Sequence, residues 1–495
     1  MRFARETGLS FCLKNIFILP LLGKRANHAY TYWAMQEKAT TIQSLFESLK
    51  ANEDLTKKNP CLLKGWVRTN RSSKAIGFLE VNDGSCFKSI QVVYDEKLAN
   101  FAEVGHILTG ACVAVRGEIV LTPEMKQPFE LHASEIELLG DVAEDYPLQK
   151  KRMSLEYLRE IAPMRPRTNT FNALYRVRSK LALAIHEYFQ SNGFVYVHTP
   201  EITGNDAEGA GQTFTVITDA KDPINDFYGR KVSLTVSGQL HVEPFALSFG
   251  KVYTFGPTFR AEKSNTTRHA SEFWMIEPEI AFADLSDDMD VMEDSIKFCI
   301  RYILANCPDE MKFFDTFIAK GTIEKLEAVL AKPFVRMSYT EGIERLKEAV
   351  KKGHPFENKN IEWGMDLQSE HERYLTEEVV KGPMFLTDYP KEIKAFYMKE
   401  NADGKTVAAA DCLVPGEGEI IGGSQREDNY DVLKAKMDKL GNTEGLEWYL
   451  NLRKWGGCVH SGFGIGFDRL LMYITGVANI RDTEPYPRTS SNLKY

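Results

Sequence analysis

Apolar residues recur along this chain in two rhythms. Between 61 and 139 they alternate with polar ones in short runs, at 62–69, 76–82, 88–95, 111–120 and 129–138, with turn residues between. A period of two turns successive side chains to opposite faces, so five strands are predicted. Elsewhere the period is three to four. Ile42-Gln-Ser-Leu-Phe-Glu-Ser-Leu-Lys-Ala51 reads as a helix, and Leu174, Val177, Leu181, Ile185 and Phe189 mark a long amphipathic helix over 171–189. Gly193 ends that helix, and a strand, Phe194-Val-Tyr-Val, runs into Pro200. Further helical segments fall near 287–306, 340–352 and 367–380.

Five strands with one longer connection fit a small barrel of the oligonucleotide-binding (OB) type. Leu79 and Val81 point inward, with Phe78 and Glu80 outward; Ile90 and Val92 point in and Gln91 out. Trp66 and Arg68 share a face of the first strand. An outward aromatic, an amide and nearby arginines form a surface that stacks on bases and reads them. The polar, aperiodic stretch 140–153 is the expected linker. The predicted domains are thus an extension over 1–34, a barrel with its leading helix over 35–139, the linker, and a second domain over 154–495.

Charge narrows the picture. The chain has 495 residues and a net charge of −8, so any nucleic-acid contact comes from a local surface and not from bulk positive charge. The eight cysteines are scattered, with no CxxC spacing and no histidine cluster. Reduced thiols in a cytoplasmic compartment are expected, without a zinc site. No apolar run has membrane-spanning length. Residues 1–34 carry five basic residues against Glu6, as an organellar import sequence does. Pro20 and the scarcity of serine favour translated sequence upstream of a start at Met35.

Two segments carry the chemistry. Thr258 to Glu279 reads as strand, polar loop, strand. Arg260 leaves the first strand, Arg268 and His269 lie in the loop, and Phe273 opens the second strand. Guanidinium groups for phosphate, a loop to close over it and a ring to stack on adenine suit ATP. Ser461-Gly-Phe-Gly-Ile-Gly-Phe-Asp-Arg-Leu-Leu-Met472 places three alternating glycines before Arg469, so a backbone can lie close to a ligand. A dinucleotide-binding loop is excluded: the spacing is GxGxG, and too little chain follows for a second βαβ half.

From about Met35 onward the chain resembles the bacterial-type asparaginyl-tRNA synthetases, of the aspartyl-like subgroup of class II. Gly193–Pro200 with its preceding helix resembles motif 1, Phe259–Glu279 motif 2, and Gly462–Arg469 motif 3. Trp274-Met-Ile-Glu-Pro-Glu279 and Thr235-Val-Ser-Gly-Gln-Leu240 look like the asparaginyl branch. The resemblance implies an α+β fold, with an antiparallel sheet flanked by helices behind the anticodon-binding barrel. It also implies a homodimer through motif 1.

The same resemblance assigns roles. Arg260 holds the α-phosphate and the amino-acid carboxylate. Glu262 accepts from the adenine amino group, Arg268 and His269 take the β,γ-phosphates, and Phe273 and Arg469 flank adenine, with Arg469 at the opposite face or the γ-phosphate. Asp411 and Glu419 hold Mg²⁺, whose hard-oxygen preference they suit. Glu208 binds the substrate α-amino group, and Ser237, Gln239 and Arg426 surround the substrate. An aspartyl enzyme carries a lysine after Gln-Leu-Phe; here Gln239-Leu-His-Val-Glu243 has Val242 instead. Glu243, facing the pocket, would accept from the asparagine amide and repel aspartate. Phe78 and Gln91 match the positions that stack on and read the central anticodon uridine.

The expected function is ATP-dependent ligation of L-asparagine to tRNA(Asn). Rival readings are an aspartyl or non-discriminating enzyme, a paralogue that makes free asparagine, and a catalytically silent RNA-binding protein. Lys436-Met-Asp-Lys-Leu440 faintly resembles a class I signature and is read as helix surface. Residues 306–360 are expected to be a family-specific insertion.

Overall fold

In the computed structural model, residues 37–148, 153–205, 212–219, 221–222, 226–264 and 266–495 are described. Residues 1–34 and Glu208, with the readings placed on them, lie outside these. The chain divides into two compact units. One runs up to Asp83 and resumes at Ile90–Asp141; the other takes Gly84–Ser89 and Val142–Tyr495.

The first unit opens with α1 (Ile42–Lys50), capped by the Thr41 hydroxyl, which accepts from the Ser44 N–H. Its strands are β1 (Cys61–Ser72), β2 (Ile76–Asn82), β3 (Ile90–Asp95), β4 (Cys112–Leu121) and β5 (Phe129–Gly140). They close into a barrel in the order β1-β2-β3-β5-β4. Alternation is the cause: Leu63, Val67, Leu79, Val81, Ile90, Val92, Val113, Val115 and Leu131 all turn inward and are buried. Burying each such side chain contributes about 1.5–3 kcal/mol. β1 is bulged between Val67 and Thr69. Arg68 is the extra residue there, so the simple alternation that would pair it with Trp66 on one face is interrupted.

The second unit is built on an eight-stranded sheet in the order β12-β13-β14-β15-β16-β11-β10-β6. These strands are β6 (Val195–Tyr196), β10 (Lys251–Phe259), β11 (Glu272–Ala281), β12 (Val335–Ser338), β13 (Met384–Pro390), β14 (Thr406–Val414), β15 (Gly418–Gln425) and β16 (His460–Gly466). Only the outermost pairs, β12 with β13 and β6 with β10, are parallel; every pair between is antiparallel. A small sheet, β7 (Ile202–Thr203), β8 (Thr215–Val216) and β9 (Val232–Leu234), has the order β7-β9-β8.

Eight helices matter here: α2 (Asn169–Ser191), α3 (Gln239–Phe249), α4 (Leu285–Asn306), α5 (Pro308–Phe317), α6 (Thr322–Ala331), α7 (Tyr339–Lys351), α8 (Tyr430–Leu440) and α9 (Phe467–Thr475). α2 buries the predicted stripe, Leu174, Val177, Leu181, Ile185 and Phe189. Past its end, Gly193 takes φ +81°, a conformation glycine adopts at little cost. α4 starts with a capping box in which Asp284 and Asp287 each accept from the other's backbone. α2, α4 and the sheet share one core with Ile276, Cys412, Phe463 and Ile465. Among the described residues no helix is long and apolar enough to cross a membrane.

Residues 306–360 pack into the cores of this unit. Met311 and Phe314 of α5 and Leu326 of α6 enter the main core. β12 is an edge strand, and α7 lays Tyr339, Ile343 and Leu346 into a second core beside Leu386. α5 and α6 each have 10 residues, too few turns for a period to stand out in sequence. The expected helix at 367–380 is a short α-helix, Ser369–Arg373, running into a π-helical stretch, Tyr374–Val380.

Candidate active site

β10 and β11 form an in-register hairpin with Thr258 opposite Phe273. The pairing brings Arg260, just past β10, back to the start of β11. Its N–H donates to Ser271 O, and its guanidinium carbon lies 5.3 Å from the Phe273 ring centroid. His269, in the connecting loop, is held below its usual pKa. Burial is the main cause, with the positive charges of Arg469, Arg260 and Arg268 adding to it and Glu262 opposing. Arg268 donates to Gly416 O at 2.9 Å and to Ser369 Oγ at 3.1 Å. Arg469, on α9, donates to Glu419 O at 3.0 Å. The structure thus gathers Arg260, Glu262, Arg268, His269, Phe273 and Arg469 at one place.

Two of the three glycines of β16 leave room inside the sheet. A Cβ on Gly462 would lie 2.4 Å from the Glu279 carboxyl, and one on Gly464 would lie 2.7 Å from Met275 Cε. They make room for neighbouring β11 side chains within the sheet.

Two carboxylates adjoin this cluster. Asp411 on β14 is opposite Gly422 on β15. A Cβ on Gly422 would stand 3.2 Å from Glu419 Oε1 and 3.5 Å from Asp411 Oδ1, so both side chains converge over a glycine that leaves them space. Two further groups belong here that the sequence did not single out. Lys394 Nζ lies 2.5 Å from Asp411 Oδ2 and 3.9 Å from the Tyr389 ring centroid. Glu372 accepts from the Glu419 N–H, and burial, then the charges of Glu419 and Asp411, push its carboxyl up to about 7. Among the described residues no three His, Cys, Asp or Glu side chains form a metal cage. Two hard carboxylates beside a cluster of arginines nevertheless suit Mg²⁺, which uses one or two carboxylates and completes its shell with water and phosphate. The ammonium already seated on Asp411 shows that a cation is favoured there.

A third group of residues lies around the start of α3. Glu277 accepts from Ser237 Oγ and from the Gly238 N–H. Gln239 opens the helix, and its Nε2 donates to Glu243 Oε2 at 2.6 Å. Glu243 is fully buried. It also accepts from Tyr449 OH at 2.7 Å, from Arg453 Nη1 at 2.7 Å and from His460 Nε2 at 2.8 Å. Burial pushes its carboxyl up, but Arg453 and His460 outweigh burial and hold it at about 2. These partners engage both oxygens, so Glu243 orients Gln239. With the amide turned toward Glu243, Gln239 Oε1 is buried and without a partner, an acceptor left for a donor group.

Arg426 is buried and grips Glu279 through Nε and Nη2, with Nη1 donating to Ser424 Oγ at 2.9 Å. Val242 lies in an apolar cluster with Val197, Ala246 and Val252. Lys436 is less of a surface residue than its motif implied: it donates to Met398 O and to Glu427.

On the barrel, Phe78 is opposite Arg71 and Val93, and Glu80 opposite Gln91, so these side chains share the outer face. Gln91 Nε2 donates to Glu130 Oε1 at 2.6 Å, and His132 Nε2 lies 3.6 Å from Glu130 Oε2. Glu130 was legible: Phe129 and Leu131 are its buried neighbours, so alternation turns it outward. Trp66, 44 % exposed, is paired with Asn82. It sits five residues along β1 from Arg71, roughly 16 Å away.

Residues 154–490 match the family described as tRNA synthetases class II (D, K and N), and residues 62–139 match the OB-fold nucleic acid binding domain. Among similar proteins, the asparagine–tRNA ligase of Alkaliphilus oremlandii is 56% identical over 88% of this chain and 96% of its own length. That of Clostridium acetobutylicum is 57% identical, covering 88% and 95%. The structure is similar to asparaginyl-tRNA synthetase from Pyrococcus horikoshii complexed with asparaginyl-adenylate. The TM-score is 0.81 at 32% identity, covering 92% of this chain and 99% of that one. The corresponding complex from Entamoeba histolytica gives 0.75 at 27% identity, covering 88% and 96%.

Proposed function

The chain belongs to the class II tRNA synthetases of the D, K and N type, and from that premise we propose how its residues divide the reaction. The enzyme uses ATP to ligate L-asparagine to tRNA(Asn) through asparaginyl-adenylate. The observation that carries this is identity above one half to asparagine–tRNA ligases over nearly their full length.

In the first step the asparagine carboxylate, ionised at neutral pH, attacks the α-phosphorus of ATP. The bond to the β-phosphate oxygen breaks and pyrophosphate leaves. No protein base is needed, so catalysis comes from positioning and charge neutralisation. Arg260 bridges the attacking carboxylate and the α-phosphate. Phe273 stacks on adenine, Glu262 takes its amino group, and Arg469 covers its other face or the γ-phosphate. Arg268 and His269 take the β,γ-phosphates. Asp411 and Glu419 hold Mg²⁺, which when bound offsets phosphate charge. In the second step the hydroxyl of the 3′-terminal adenosine attacks the acyl carbon and AMP leaves.

The choice of asparagine follows from neutrality. Arg426 spends three of its five N–H groups on Glu279 and Ser424. What it offers a ligand is donors with their charge already offset by Glu279. A neutral side-chain oxygen gains those donors at little desolvation cost, whereas an aspartate carboxylate gains no net counter-charge. Gln239 Oε1 supplies the matching acceptor, Ser237 lines the pocket, and Glu208 takes the α-ammonium group.

Phe78 and Gln91, with Glu130, read the anticodon on the barrel. The enzyme acts in the cytoplasm, a placement supported by its part in translation and by seven described cysteines that are all free thiols. It works as a homodimer through motif 1: β6 is an edge strand whose Val195 is 44 % exposed.

Two substitutions separate the steps. Arg260→Ala should lower asparagine-dependent ATP–pyrophosphate exchange by more than about tenfold, equivalent to 1.4 kcal/mol of barrier. Phe78→Ala should leave exchange intact and weaken tRNA binding by about 1–3 kcal/mol. Unchanged exchange in Arg260→Ala would overturn the assignment of the phosphate site.

A further inference from the structure

Lys394 is not part of any motif that identified this site, yet the fold commits it there. It follows the turn Lys391–Ile393 at the end of β13. Its side chain is largely buried, with its ammonium 2.5 Å from Asp411 Oδ2 and above the Tyr389 ring. Burying an ammonium is costly unless it is paired. Here the pairing partner is a carboxylate that converges with Glu419 over Gly422. A lysine is a compact point charge with three donors, and on Asp411 it occupies a coordination position much as a small cation would.

Resting on the reading that Asp411 and Glu419 hold Mg²⁺, we propose that Lys394 is a positioning residue that acts as the resident counter-cation of Asp411 and makes divalent-ion capture depend on bound nucleotide. The physical reason is a charge balance. With the ammonium in place, Asp411 is neutralised, and the remaining carboxylates are too weak a cage for an ion that dehydrates reluctantly. The triphosphate brings the missing negative charge, so ion and nucleotide arrive as a unit. Without the ammonium, Asp411 and Glu419 converge uncompensated, and a divalent ion gains affinity because it relieves their mutual repulsion.

The test is Mn²⁺ binding to the full-length protein, followed by electron paramagnetic resonance, with no nucleotide and with a non-hydrolysable ATP analogue. Lys394→Met and Lys394→Gln should each bind Mn²⁺ at least about tenfold more tightly than wild type without nucleotide. Lys394→Arg, which keeps the charge, should not, and adding Asp411→Asn to Lys394→Gln should abolish the gain. Gln retains a hydrogen bond to Asp411, which guards against a misfolded Met variant, and thermal melts check both. If neither neutral variant gains affinity while Asp411→Asn alone weakens Mn²⁺ binding with the analogue, the metal reading stands and the role of Lys394 is overturned. If Asp411→Asn has no effect with the analogue, the metal reading fails and takes this proposal with it.

Discussion

Glu243 shows what a local pattern can and cannot reveal. Its place beside Val242, where an aspartyl enzyme carries a lysine, marked it as a substrate residue. Its actual partners, Tyr449, Arg453 and His460, come from some two hundred residues further along the chain, and no spacing rule reaches that far. The acceptor it leaves without a partner is the buried Gln239 Oε1. Glu243→Ala removes a buried anion from the Arg453 guanidinium, so it should cost about 3–5 kcal/mol of stability, measured by denaturant unfolding. It should also raise the KM for asparagine more than that for ATP, because Gln239 loses its anchor. A variant as stable as wild type would contradict the buried hub. Val242 carries a similar lesson. The side chain at 242 packs among valines and an alanine, and the function proposed above gives discrimination to Arg426, Glu279 and Gln239.

Elements with long runs of regular alternation or helical period were readable in advance: the five barrel strands, α1, α2 and α4. The short α5 and α6 were not, and neither was the π-helical stretch Tyr374–Val380 that follows Glu372, because these depend on contacts between distant segments. One tie between elements has a measurable consequence. α9, which carries Arg469, is fastened to α2 by an Arg178–Asp468 ion pair, and Thr483 Oγ1 donates to the same aspartate at 3.0 Å. Glu484 lies beside them. Burial, then repulsion from Asp468, push its carboxyl up to about 9, well above the ordinary value of about 4.3. The folded state therefore holds this proton more tightly than the unfolded chain does. Stability from this group is complete below the unfolded value and is lost as pH rises toward 9. Glu484→Gln, which mimics the protonated form, should flatten the fall in Tm between about pH 6 and 9 seen in the wild type. An equally steep fall in the variant would show that another group is responsible.

At the scale of the whole molecule, motif order was the strongest signal, since three motifs and a barrel in sequence leave few folds to choose from. The sheet order explains why those motifs lie far apart in the chain: β16 inserts between β11 and β15, which brings Arg469 and Glu419 together with the β10–β11 hairpin. The same sheet ends at β6 with Val195 and Tyr196 exposed, so Val195→Glu should convert a dimer into monomers in analytical ultracentrifugation. A dimer that persists would move the interface elsewhere. The central claim is that a charge-balanced pocket selects asparagine for adenylation. ATP–pyrophosphate exchange with asparagine and aspartate side by side tests it most directly. Exchange with asparagine and none above background with aspartate is the predicted result; comparable exchange with aspartate would contradict it.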